Sequence, residues 1–147
     1  MSSSTLRKHG AGMRRLAREL ALRLLYQVDI AQIPLDECFA FAIEHMPIDE
    51  AGQQFAYNLA SGSLQNRAKI DAIIERFAIG WPPDRQPAPD RNVLRLAVYE
   101  LLYHPETPPS VVISEAVELA KKYNSDESGK FINGVLASVF KHLEEYR

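Results

Sequence analysis

The segment DRNVLRLAVYELLY, residues 90–103, is apolar on more than one side when wound into a helix. Val93, Leu94, Ala97, Val98 and Leu101 recur at three- and four-residue spacing and share one broad face, while Leu96, Tyr99 and Tyr103 fall opposite. A helix with apolar residues on two sides must be covered on two sides, so this one is predicted to be the central helix, between two groups of neighbours. Its polar remainder is small: Arg91, Asn92, Arg95 and Glu100. Asp90 at its start suits the positive end of the helix dipole, and the proline-rich stretch before it gives a firm beginning.

The other segments carry the same period. Over 14–32, Leu16, Ala17, Leu20, Ala21, Leu24, Leu25, Val28 and Ala31 gather on one helical face, and Arg14, Arg15, Arg18 and Glu19 lie on the other. Leu22, Tyr26 and Ile30 run along that second face at spacings of four. Two readings of this line stand side by side: a docking surface continuous with the basic cluster, or cover by other helices of the same chain. Pro34 and Pro47 bound a short helix over 35–45, and two more are predicted over 48–79, with Ser61-Gly62-Ser63 as a bend between them. The segment GWPPDRQPAP, residues 80–89, holds four of the nine prolines and cannot be helix interior. It is expected to connect an N-terminal helical group, 14–79, to a C-terminal one, 90–147, with Trp81 anchored in the groove between them.

Beyond the central helix comes a proline turn over 104–109 with Thr107 as an N-cap, then a helix over 111–123. Ser125 or Asp126 caps the last helix, whose core stripe is Phe131, Ile132, Val135, Leu136, Val139, Phe140 and Leu143. Gly134 inside that helix costs on the order of 1 kcal/mol against alanine, which predicts close approach of another helix. No segment sustains period-two alternation. The predicted fold is all-α, about seven helices in a single domain over 14–147, preceded by a flexible basic tail over 1–13.

At 147 residues the chain is long enough for one hydrophobic core without disulfides or metal. Cys38 is its one cysteine, which excludes a disulfide framework or thiolate metal site and points to a reducing, cytoplasmic compartment. No apolar run approaches the length of a membrane span. His9, His45, His104 and His142 lie far apart without metal-ligand spacing, and neither a phosphate-cradling glycine loop nor a serine elbow is present. The expectation is a binding protein, not an enzyme, with no cofactor or metal. Net charge is only -2, but residues 1–23 carry six bases and one acid, so an end of net +5 is joined to a remainder of -7. A locally basic end on an acidic body is the footprint of a directed contact with an anion.

Three stretches, RRLARELALRLLYQVDIAQ (14–32), DRNVLRLAVYEL (90–101) and PPSVVISEAVELAKKYNSDESGKFINGVL (108–136), resemble the NusB family of bacterial transcription antitermination proteins. The similarity runs in order over nearly the whole chain outside the first dozen residues and the variable middle, and EAVELAKKY followed by SGKFINGVL is long enough to be specific. Departures are Ser114 where the family commonly has asparagine, Glu127 where it has aspartate, and Ala137 where aspartate usually follows GVL. The same helical domain begins certain ribosomal RNA cytosine methyltransferases, but this chain has no room for a catalytic domain and no cofactor-binding glycine loop.

The resemblance implies two packed helical bundles, the first helix bearing an arginine-rich motif. It implies binding to the boxA element of nascent RNA, in ribosomal operons and phage antitermination sites, as a heterodimer with the small-subunit ribosomal protein NusE. That complex would load onto RNA polymerase with other Nus factors, and a homodimer is a further possibility the family raises. Single-stranded RNA offers phosphates to guanidinium groups and unstacked bases to planar side chains. The RNA-binding residues expected are Arg14 and Arg18, one turn apart, with Arg15 beside them and Arg7 and Lys8 able to wrap the strand. Arg23, nearer the far side, reads as a structural or rim charge. Positions matching the NusE contacts are Tyr26, Asp90, Glu127 and Phe131. From the residues alone Phe131 is equally core or contact, and only the resemblance favours contact. The alternative is a helical interaction module whose basic end is incidental.

Overall fold

The computed structural model describes residues 3–147, with side chains from residue 12 onward. Seven α-helices follow one another: α1 (Ser3–Tyr26), α2 (Leu35–His45), α3 (Glu50–Gln65), α4 (Arg67–Phe77), α5 (Ala88–Tyr103), α6 (Pro109–Tyr123) and α7 (Asp126–Lys141). No strand occurs among the described residues, so the all-α expectation holds. None of the helices is long and apolar enough to cross a membrane. The chain divides into two compact units, one up to Ser61 and one from Gly62 onward.

In the first unit, α1 buries Ala17, Leu20, Ala21, Leu24 and Leu25. The helix begins well ahead of residue 14, so backbone read as a flexible tail continues α1 from Ser3. Once a packed stripe has nucleated a helix, each added residue gains a hydrogen bond for a small entropic cost. The last turn widens into a π-helical stretch, Gln27–Ala31, and stops at Gln32, whose φ of 57° is left-handed. Pro34 then opens α2, with Asp36 and Glu37 in its first turn against the positive dipole end. Asp49 starts α3 by accepting a 2.7 Å hydrogen bond from the Gly52 N–H. The Phe39 and Tyr57 rings lie 5.0 Å apart between α2 and α3, and the Tyr57 hydroxyl donates to Asp36 at 2.6 Å. That bond raises the Tyr57 pKa above its ordinary value.

The bend expected at Ser61-Gly62-Ser63 is absent, because α3 runs on to Gln65. Gly62 has a different reason to be glycine: a Cβ there would collide with the Tyr99 ring of α5. Within the second unit, α4, α6 and α7 pack around α5, which buries every residue from Asn92 to Leu102. Its buried polar groups have partners. The Arg95 guanidinium grips Asp71 of α4 with two bonds, Nε to Oδ1 at 2.8 Å and Nη2 to Oδ2 at 3.0 Å, a fork geometry that fixes direction as well as charge. Ser125 caps α7, its side chain accepting from the Ser128 N–H at 3.1 Å.

Four other expectations are corrected here. Trp81, expected as a buried anchor, is 55% exposed. Thr107 does not cap α6: Pro108 takes the cap position and the Thr107 hydroxyl is buried without a hydrogen bond. Prolines opening α6 supply the φ and remove the donors that a capping hydroxyl would have served. Gly134 meets no neighbour, a Cβ there having open space. Phe140, read as core, is half exposed at the end of α7.

Candidate functional site

The basic cluster of the first unit is built across two helices. Arg14 and Arg18 sit one turn apart on α1 and share the Phe55 ring of α3, their guanidinium carbons 4.8 Å and 5.5 Å from its centroid. At such distances the positive groups are attracted by the ring face. Arg14 and Arg15 are exposed. Arg18, expected on the open basic face, is only 5% exposed, because its stem lies along apolar surface toward Phe55. Arg23 pairs with Glu19 at 3.5 Å, as suits a rim charge. The Arg7 and Lys8 side chains lie outside the described residues. Phe55 escaped the sequence reading as a site residue, since nothing in spacing along α3 shows that a ring on it meets arginines of α1.

Along the line that follows the basic cluster, Leu22 is buried while Tyr26 is 42% and Ile30 50% exposed. Helix packing therefore covers Leu22 and leaves Tyr26 and Ile30 accessible.

In the second unit, three of the four residues matched to a protein partner come together. A cleft of about 250 Å³ is lined by Trp81, Gln86, Pro87, Asp90, Glu127, Ser128 and Phe131. The starts of α5 and α7 form its two sides, held by Asp90, whose carboxylate accepts from Asn124 Nδ2 at 3.2 Å and from Ser128 Oγ at 3.1 Å. Asp90 is thus a buried structural acceptor as well as a lining group. Glu127 stands in solvent, loosely paired with Lys130 at 3.5 Å, and Phe131 is half-buried at the edge of the α7 stripe. Tyr26, the fourth, belongs to the first unit. Trp81 and Gln86 were not foreseen in this cleft. The Gln86 amide donates to the Trp81 carbonyl at 2.8 Å and so fixes the loop that presents the indole.

A helical chain with an arginine–phenylalanine cluster and a carboxylate- and aromatic-lined cleft can bind an anion and a protein, and the described residues hold no grouping of His, Cys, Asp and Glu that could take a metal. The NusB family model matches residues 15–141. The chain belongs to the NusB family. It is 42% identical to the transcription antitermination protein NusB of Pelotomaculum thermopropionicum over 134 residues, which cover 91% of this chain and 93% of the relative. Among solved structures it is similar to NusB of T. maritima, with a TM-score of 0.80 at 36% identity over 87% of this chain and 90% of that one. It is also similar to a chain in a crystal structure of the antitermination factors NusB and NusE in complex with dsRNA, with a TM-score of 0.82 at 33% identity, covering 88% and 97%.

Proposed function

We propose that this chain is an RNA-binding transcription antitermination factor that works in the cytoplasm without catalysing a reaction. With NusE it binds the boxA element of nascent ribosomal RNA as a single strand and, together with other Nus factors, helps RNA polymerase read through terminators. The observation that carries the reading is the exposed Arg14 guanidinium over the Phe55 ring, with exposed Arg15 next to it in the chain, on an otherwise acidic protein. Guanidinium groups neutralise phosphates, and a half-buried ring offers a stacking edge to an unpaired base. The similarity to a solved chain complexed with NusE and dsRNA supports NusE and RNA as partners, while the single-strand boxA mode is our own reading. NusE takes the cleft of the second unit, with Tyr26 as a further contact.

The test is binding of a short boxA-containing RNA from the ribosomal operon leader of the same organism, with and without NusE, across a salt series. Neutralising about four to five phosphates predicts a log–log salt slope of roughly -3. Affinity equal to that for a scrambled RNA, with or without NusE, rejects the proposal in favour of a helical interaction module.

A further inference from the structure

We propose that the cleft between the starts of α5 and α7 is an arginine socket, taking one guanidinium side chain of the protein partner against Trp81 and Phe131. The inference rests on the reading of this face as the NusE surface and adds the chemistry of what enters it. Three of the lining side chains, Gln86, Asp90 and Glu127, present acceptor oxygens, and no lining residue is cationic. Ser128 spends its hydroxyl proton on Asp90, which leaves the Trp81 indole N–H as the one other side-chain donor of the lining. Gln86 is 4% exposed, and its amide nitrogen is committed to the Trp81 carbonyl, which leaves Oε1 without a hydrogen-bond partner. Both Asp90 oxygens accept one bond each from within the fold, and a carboxylate oxygen has room for a second.

Apart from the Trp81 indole N–H, the lining side chains offer acceptors, which favours an entering side chain that brings donors. A phosphate or carboxylate would be repelled. An aliphatic side chain would leave Gln86 Oε1 unpaired in the complex. A neutral amide would add an acceptor of its own. Ammonium and guanidinium remain, and the two aromatic walls favour the guanidinium, which is planar, weakly hydrated and able to stack on a ring while its edge donates in several directions.

Trp81 is the chain's one tryptophan, so its fluorescence reports on the cleft directly. Acetyl-Gly-Arg-Gly-amide and its citrulline counterpart, equal in shape but neutral, are titrated into the full chain, and NusE is titrated separately. The expected result is a saturable change in Trp81 emission with the arginine peptide at concentrations at least tenfold below those the citrulline peptide needs. Gln86→Leu, and independently the exposed Glu127→Gln, should narrow that preference severalfold. The arginine peptide, and not the citrulline peptide, should displace NusE. Equal responses to the two peptides, or none to either, overturn the socket. If NusE binds and changes Trp81 emission while the peptides behave alike, the partner face stands and the socket falls. If NusE leaves Trp81 emission unchanged, the partner-face reading falls with the socket's assigned occupant, whatever the peptides do.

Discussion

Arg14 and Arg18 stand over the same ring in different surroundings, one in solvent and one almost wholly covered. Removing them should therefore have different consequences. Arg14→Ala with Arg15→Ala is expected to weaken RNA binding and flatten the salt slope by about 1.4, at roughly 0.7 per phosphate contact. Stability should stay within about 0.5 kcal/mol per site, since exposed charges contribute little to folding. Arg18→Ala should also cost roughly 1–3 kcal/mol in denaturant unfolding, because the stem that covers apolar surface goes with the charge. The two unpredicted glycine environments give a second pair of opposite outcomes. Gly134→Ala has room for its methyl group and improves a helix interior, so thermal unfolding should rise by roughly 2–4 °C for about 1 kcal/mol. Gly62→Ala drives a methyl group into the Tyr99 ring and should destabilise by about 1–3 kcal/mol or more. Unfolding curves for the two variants decide both.

At the scale of elements, the C-terminal turn is tied back to α4 by Arg76, whose Nη1 lies 2.7 Å from Glu145 Oε2. This hydrogen bond holds the Glu145 carboxyl below its ordinary value. A carboxyl with a lowered folded value stabilises above its unfolded value and loses that contribution as pH falls through the folded one. The tie should therefore be intact at neutral pH and begin to go as pH drops below 4.5, the ordinary value. Carbon-detected NMR titration of Glu145 checks this: in Arg76→Ala its midpoint should move up toward 4.5. Much at this scale was legible beforehand. Prolines marked the bounds of α2, the pair Ser125 and Asp126 marked the start of α7, where Ser125 proves to be the cap, and the two-sided apolar pattern of α5 foretold a buried centre. What escaped was set between elements. The place of Arg18 depends on where α3 presents Phe55. Gly62 is small because of Tyr99, 37 positions further along the chain. The cleft exists because the start of α7 meets the start of α5, and no spacing along either helix records the meeting. Asp90, Glu127 and Phe131 were singled out through family resemblance, whereas Gln86 and Trp81 had no signal that placed them beside those three.

For the whole molecule, the arginines proposed to bind RNA lie in one compact unit and the cleft in the other. Phe131→Ala or Glu127→Lys should weaken NusE association while RNA affinity of the isolated protein stays as it is. If RNA and NusE bind cooperatively, each must raise the affinity for the other by the same factor, which calorimetry in both orders of addition measures. Stability of the second unit poses a separate question. Apart from a few polar groups, α5 resembles a greased rod: burial rewards it for being enclosed but says little about its rotation or its register along the axis. The grip of Arg95 on Asp71 and the bonds from Asn124 and Ser128 to Asp90 act as keys that set both. Replacing the first pair with apolar residues, Arg95→Met with Asp71→Leu, should leave compactness and helical circular dichroism close to wild type, since such pairs are seldom the source of net stability. The amide and methyl NMR spectrum of α5 and its neighbours should instead broaden and multiply, as the rod samples more than one setting. A cleft whose one wall begins at Asp90 would then lose its shape before the protein lost its fold.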